Sequence, residues 1–481
     1  MRRGLVLNLI SNIVFFVSGY ALHFFLGNTM PPASYGVVGT IITVLDFEYM
    51  FISNGARQSI ASEISRRRYA LRDVIVKTLA FQLLLVAFFF CVNFFGAPLF
   101  GYIFNDASLD FYFRVAGFLV VINGMFTLLL GINDGLQRFG TSALLGVFYP
   151  IAKLGTIPLI IFGFRDDPVL GVEIGFMLSV LITIILGCIL LFIRRRQMRE
   201  IIPVTNERLP FSHVAKHTLS FSFFFIMVSL VLSVDTLIVK AVVMPASMAG
   251  YYTGAMNFGK IAYNMLQAFV TVILPIVAKL VSEGRRDAAM QRTSELLLIA
   301  FAFILPISVI ISATSGDLLA AFYSPSFDAA SAALSCLAFS NFFMGITVIL
   351  NMVLNSFGSS RFSDGLSIAS LIVAIPIFIA GATYFGITGI AVASVSCTGL
   401  AMLVSFARTY AKVGRVILGK TWAVIVVNAV MWIAVRIAAS MIGITNLLAL
   451  GGVYVVVYAA YVAVLFALRI ITVTDVKSLG K

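Results

Sequence analysis

"MPASMAGYYTGAM", residues 244–256, and "MPPASYGVVGTII", residues 30–42, are two versions of one phrase set about 214 residues apart. Pro32-Ala33-Ser34 matches Pro245-Ala246-Ser247, and with one inserted residue Gly36 matches Gly250. Farther along, the register settles at an offset of 218. It aligns Phe104 with Phe322, Asn123 with Asn341, Asn133 with Asn351, Ile157-Pro158 with Ile375-Pro376 and Gly171 with Gly389. One Pro-Ala-Ser match arises easily by chance in an apolar chain. Gly, Pro and Asn held in register over about 68 residues do not. The chain is internally duplicated.

Composition identifies the solvent for this duplication. Of 481 residues, 61% are hydrophobic and 11% charged, with a mean hydropathy of +1.06. A soluble chain of this length carries far more charged surface. The apolar residues fall into fourteen runs, the first near 5–26 and the last near 447–469. Each is about 20 residues, enough to span a ~30 Å hydrocarbon core. The first run resembles a signal peptide but is too long for one, and thirteen more follow, so a retained helix is expected. Six runs lie in each copy, so both copies start on the same side of the membrane, as parallel repeats do in transporters. The expected fold is an all-α polytopic membrane protein of about fourteen transmembrane helices. It divides into an N-lobe (1–193), a polar linker (194–216, "RRRQMREIIPVTNERLPFSHVAK"), a C-lobe (217–411) and an additional helix pair with tail (412–481).

Lys and Arg cluster at Arg2-Arg3, Arg66–Arg68, the linker, Lys279–Arg292 and Arg408–Lys420, all on one side in this arrangement. The positive-inside rule makes that side, and both termini, cytoplasmic. The net charge of +13 is therefore mainly a topology signal. No basic face interleaved with aromatics stands outside the membrane, so no nucleic-acid partner is expected. Cys91, Cys188, Cys336 and Cys397 fall inside apolar runs, reading as small buried residues without disulfide or zinc spacing. His213 and His217 stand at helical spacing but lack a neighbouring carboxylate or Cys, so no metal is expected.

Few ionisable residues lie deep in the runs: Asp46 and Glu48 in the second, Lys153 in the fifth, Asp235 in the seventh, Lys260 in the eighth. Arg57 ends the second run. A charge facing lipid at the membrane centre costs ~2.5–3.5 kcal/mol on insertion scales. Lys153 and Lys260 should therefore face a wet cavity or a partner. Pro158 and Pro376 each remove a helical hydrogen bond at equivalent places, as hinges or as static kinks. Aligning Gly36 with Gly250 also sets Asp46 against Lys260, a charge pair that would meet or part as two lobes rock.

"LGNTMPPASYGVVGTI" (26–41), followed by "NGARQSIASEISRR" (54–67), resembles the start of polysaccharide transporters of the multidrug/oligosaccharidyl-lipid/polysaccharide exporter superfamily. "VDTLIVKAVVMPASMAGYYTGA" (234–255) resembles that family's opening of the second lobe, begun by an Asp, here Asp235. The likeness covers residues 1–410, with Asn28-Thr29-Met30 departing from the family's Leu-Gly-Pro-like turn. It implies a flippase for a polyprenyl-linked oligosaccharide, similar to O-antigen-type and lipid II flippases and not an enzyme. The setting would be the plasma (inner) membrane of a prokaryote. Membrane lipids and polysaccharide-assembly enzymes would be its further partners. Arg57, Lys153 and Lys260 then attract the phosphate-bearing head group, while Asp46, Glu48 and Asp235 serve gating or ion coupling. By similarity, the added helix pair favours a lipid-linked substrate over a drug, because multidrug members usually stop at twelve helices. A cation-coupled multidrug exporter is the competing reading. A membrane glycosyltransferase or polymerase would need a catalytic outer domain, and the longest outer loop, near 96–110, is too short and apolar to supply one.

"GRVILGKT", residues 414–421, fits the phosphate-loop pattern G-x-x-x-x-G-K-T. A true phosphate loop follows a strand and opens a helix of an αβ domain, whereas this segment joins two membrane runs. No ATP is expected, and Lys420 is read as an inner-face anchor for the thirteenth run. Export then draws either on the membrane potential, ~2.3 kcal/mol per charge per 100 mV, or on Na+ or H+ counterflux. No cofactor is required.

Overall fold

Helix covers each of the fourteen apolar runs in a computed structural model that describes residues 2–66, 68–193, 208–444 and 446–472. Hydrocarbon offers the backbone no partners, so an apolar chain must close its hydrogen bonds internally. No strand occurs among the described residues. Ten of the described helices are long and apolar enough to cross a membrane, which makes this a multi-pass membrane protein. Of the expected linker, residues 194–207 lie outside the described residues.

The chain forms two compact units, Met1–Ser233 and Val234–Lys481. Their boundary falls at a turn inside the run 217–241. The first unit contains α1 (Arg2–Thr29), α2 (Pro32–Tyr49), α3 (Ala56–Arg66), α4 (Leu71–Phe95), α5 (Ala97–Ile103), α6 (Ser108–Gly135), α7 (Phe139–Gly155), α8 (Pro168–Ile193) and α9 (Phe211–Val231). A π-helical segment, Met50–Gly55, joins α2 to α3. Helix α6 is its centre, packing on α2 to α5, α7 and α8. Small residues let membrane helices approach at backbone distance, and one face of α6 supplies them. A Cβ on Gly131 would lie 3.1 Å from the Arg57 carbonyl oxygen, and one on Gly135 3.1 Å from the Ala61 Cα.

The second unit contains α10 (Val234–Val242), α11 (Ser247–Gly259), α12 (Ile261–Ser282), α13 (Arg286–Ile299), α14 (Leu305–Ala313), α15 (Ser315–Phe322), α16 (Ser331–Ser356), α17 (Ser360–Lys412), α18 (Gly419–Ile442) and α19 (Leu447–Ala467). The duplication is visible in the element order. The short α5 followed by the long α6 recurs about 218 residues later as α15 and α16, with Asn123/Asn341 and Asn133/Asn351 inside the long members. The doubled phrase is the turn between two helices in both copies: Pro32 opens α2 and Ser247 opens α11. A buried tyrosine fastens each turn to the helix before it. Tyr35 shares a 2.9 Å hydrogen bond with His23 Nδ1, and Tyr252 donates to Asp235 Oδ2 at 2.8 Å.

Helix α17 is nominally 53 residues long, yet Gly386 within it has φ 60° and ψ −146°. A Cβ on Gly381 would sit 2.8 Å from the Gly389 carbonyl oxygen. Eight residues of straight helix span ~12 Å, so the chain doubles back at Gly386, matching the separate runs 363–383 and 387–407. The pair α18–α19 docks on a helix that changes to π geometry at Ala300–Ile304 between α13 and α14. A π turn shifts carbonyls off the regular ladder, and the Tyr458 hydroxyl donates to one of them, Phe303 O, at 3.0 Å. Trp432 Nε1 donates to Ser312 Oγ (3.0 Å) and Arg436 Nη1 to Ala313 O (3.2 Å).

Candidate functional site

In the first unit the charged residues singled out by the sequence lie on α2, α3 and α7 and have different partners. Lys153, late in α7, holds its Nζ 3.5 Å from the Phe176 ring centroid and 5.5 Å from that of Tyr149. These cation–π contacts stabilise a partly buried cation, and Asp46 of α2 contributes a negative charge that acts on it. Asp46 is exposed, whereas Glu48 is buried. Residues two apart do not share a helix face, and Glu48 turns instead toward α4. Asn93 Nδ2 donates to both of its oxygens, at 2.7 and 2.9 Å. Next to Glu48 in the chain, Tyr49 accepts a hydrogen bond from Asn123 of α6 at 2.7 Å.

Arg57 has a partner that its sequence position does not reveal. Its Nε donates to Asp134 Oδ2 of α6 at 2.7 Å, in a partly exposed ion pair. A second acid absent from the sequence expectations is Glu173 of α8. It is buried with neither carboxylate oxygen hydrogen-bonded, and Asp167 contributes a like charge nearby. Glu173 stands only a few residues into its apolar run, where an acid reads as an interfacial residue; helix packing is what buries it.

In the second unit Asp235 opens α10 and is buried. It accepts from the Thr236 backbone N–H at 2.7 Å, from the Tyr252 hydroxyl at 2.8 Å and from the Thr236 hydroxyl at 3.4 Å. Lys260, at the junction of α11 and α12, is the cation acting on it. In each unit an acid thus acts electrostatically on a lysine, Asp46 on Lys153 and Asp235 on Lys260. Tyr252 lies within the quoted phrase itself, where it reads as part of a turn. Asn93 and Phe176 carry no sequence signal, Phe176 being one of 44 phenylalanines.

The two prolines differ locally. Helix α7 ends at Gly155, a turn follows at Thr156, and Pro158 leads into a π-helical segment, Leu159–Gly163. Pro376 sits inside the uninterrupted first half of α17. His213 Nε2 meets the buried Glu63 Oε1 at 3.2 Å, and no group of three or more metal-binding side chains occurs among the described residues. All four cysteines are free and none is fully buried as expected: Cys91 and Cys188 are exposed, and Cys336 and Cys397 are partly exposed. Residues 414–418 are irregular and follow a helix, not a strand, so the phosphate-loop pattern lacks its structural context.

The family model for polysaccharide biosynthesis protein matches residues 1–281, more than half of the chain. No curated protein matches. Among solved structures, the lipid II flippase MurJ in an inward closed conformation superposes with a TM-score of 0.70 at 14% identity, covering 97% of this chain and 100% of that one. An inward-facing multidrug resistance MATE family transporter of the MOP superfamily gives 0.67 at 15%, covering 84% and 95%. A MOP superfamily transporter from Pyrococcus furiosus gives 0.58 at 16%, covering 86% and 93%. At these identities the likeness establishes a shared fold. With this fold and the family match over its first 281 residues, the chain belongs to the polysaccharide biosynthesis protein family.

Proposed function

We propose that the protein is a flippase that moves a polyprenyl-(pyro)phosphate-linked oligosaccharide from the cytoplasmic to the outer leaflet of the plasma membrane by alternating access of its two repeats. The observation that carries the reading is coverage. The lipid II flippase accounts for nearly all of this chain, whereas the MATE transporter leaves about a sixth unmatched, a length comparable with the helix pair and tail at 412–481. Family membership supports a sugar-bearing cargo. In this reading the chain has fourteen transmembrane helices with both termini cytoplasmic, and its lobes are 1–193 and 217–411. Lys153 and Lys260 attract the phosphate groups, and Arg57 joins them by exchanging Asp134 for substrate. Asp46, Glu48 and Asp235 release or rebind cations or protons as the lobes move, and Pro158 and Pro376 give the bending points. A doubly charged phosphate attracts either lysine more strongly than a single carboxylate or a ring face does at the same distance.

The test is reconstitution of the full chain alone in liposomes with a fluorescent short-chain polyprenyl diphosphate oligosaccharide. Leaflet exchange is read by quenching from outside. Protein-dependent exchange is the expected result. Proton- or sodium-driven dye efflux with no lipid exchange would move the assignment to the multidrug branch. Topology is checked separately in a Cys-free background: Ser108→Cys and Asn206→Cys should react with impermeant reagent from opposite sides.

A further inference from the structure

The segment that mimics a phosphate loop builds a pocket of another kind. Beyond α17 the backbone turns at Gly414, whose φ is +114°, and passes so close to α13 that a Cβ there would lie 2.7 Å from Met290 Sδ. Val416 is buried in the core of the second unit with Leu297 and Val424, which fixes the loop against α13 and α18. Between loop and α13 is a pocket of about 360 Å3, whose walls include Glu295, Leu298, Ile299, Arg415, Leu418 and Lys420.

Its walls are of two chemical kinds. Arg415 and Lys420 bring two positive charges. Glu295 is the one acid in the lining and is engaged within α13, by Arg292 Nη1 at 2.9 Å and Gln291 Nε2 at 3.0 Å, so the lining carries two formal positive charges and one negative. The remaining wall, Leu298, Ile299 and Leu418, is apolar. The pocket lies beside the start of the candidate membrane helix Gly419–Ile442. On Arg286–Ala313 it lies beside the change from the largely polar stretch 286–295 to the apolar run that begins at Leu296, the composition change expected at a membrane surface. Basic pockets between helices at that level suit phosphate head groups, and each Lys or Arg near an anionic surface contributes about 1 kcal/mol.

We propose that this pocket is a binding site for the phosphate head group of an anionic phospholipid, with the glycerol and first acyl carbons resting on Leu298 and Leu418. A free phosphate ion would leave the apolar wall unused; a lipid uses both walls. That the lipid comes from the cytoplasmic leaflet rests on the topology of the proposed function, but the site itself does not. Because Val416 and Lys420 bracket the entry into α18, an occupied pocket ties the added helix pair to the membrane surface.

The test is native mass spectrometry of the purified full chain with phosphatidylglycerol and with phosphatidylcholine of identical acyl chains. One phosphatidylglycerol should be retained in preference to phosphatidylcholine. The double variant Arg415→Gln/Lys420→Gln should weaken that retention by about thirtyfold, from about 1 kcal/mol for each of two cations. Lys279→Gln/Arg285→Gln, which removes two exposed cations elsewhere in this unit, should leave it unchanged. Three results overturn the proposal: undiminished retention in the first variant, equal loss in the second, or displacement of the lipid by millimolar inorganic phosphate, which marks a free-anion site. Gel filtration confirms that the variants are folded. Lipid retention is measured without transport, so a failure of the flippase reading leaves this outcome standing, and the reverse.

Discussion

Removing the Tyr252 hydroxyl isolates one interaction at the buried acid of the second unit. Tyr252→Phe keeps the buried ring, leaves no cavity, and deletes a donor 2.8 Å from Asp235 Oδ2. That oxygen loses its hydroxyl partner, while Thr236 continues to serve Oδ1 through its backbone N–H at 2.7 Å and a long 3.4 Å hydroxyl contact. A hydrogen bond to a charged group is worth about 1.5–3 kcal/mol in soluble proteins. In membrane proteins, double-mutant cycles on polar contacts average ~0.6 and reach ~1.7 kcal/mol. Burial of both residues and the carboxylate acceptor place this pair near the upper membrane value, at about 1.5 kcal/mol. The assay is reversible unfolding in mixed SDS–detergent micelles of the wild type, Tyr252→Phe, Asp235→Ala and the double variant, so that cavity terms cancel in the cycle. In the Asp235→Ala background the hydroxyl has lost its acceptor and its removal should be nearly free. A coupling below about 0.5 kcal/mol, within the ordinary scatter of additivity, would refute the claim that Tyr252 anchors Asp235.

Three further sets of outcomes are expected. Gly131→Leu should destabilise by at least the ~1–3 kcal/mol of overpacking, since Ile60 and the Arg57 backbone occupy the space its side chain needs. Gly140→Ala, with nothing within 4 Å of the new Cβ, should be neutral or stabilise by up to ~1 kcal/mol, and micelle unfolding measures both. Lys153→Gln should lower flipping by about tenfold or more, ~1.4 kcal/mol, at unchanged yield in the liposome assay, with Lys153→Arg recovering part of it. Asp317, on the short α15 outside the membrane helices, has its carboxyl pushed above the ordinary value by burial, opposed by a backbone bond from Ile444 and the Arg436 charge. A raised folded value gives stability that is full below the ordinary carboxylate range and lost as pH rises through the folded value. Asp317→Asn should therefore raise the melting temperature at neutral pH and lose that advantage in acid; an unchanged difference between pH 4 and pH 7 counts against it.

The duplication and the helices were legible because apolar run length and repeated Gly, Pro and Asn are local signals. The doubling back at Gly386 was legible for the same reason, as a break between two apolar runs. Charge partners were not. The repeat register sets Asp46 against Lys260, yet within its own unit Asp46 acts on Lys153, which is 107 positions away in the chain. No periodicity links the two residues; the meeting of α2, α7 and α8 does. Arg57 shows the same limit, since Asp134 lies on another helix and reads in isolation as a residue near a run's end. The buried state of Glu173 follows from packing around α8, which no single helix pattern encodes.

The hairpin at Gly386 has a mechanical consequence. The two halves of α17 are joined by one non-helical residue, and Gly381 and Gly389 bring their backbones into contact beside it. A loop of several residues lets neighbouring helices slide or splay; a single-residue joint with glycine-to-glycine contact has no slack. The two arms are therefore coupled at the joint, and sliding of the Arg361 arm past the Lys412 arm requires Gly381 and Gly389 to part. Lys412 leads straight into the loop that holds Arg415 and Lys420, so that loop begins at the end of a pinned hairpin.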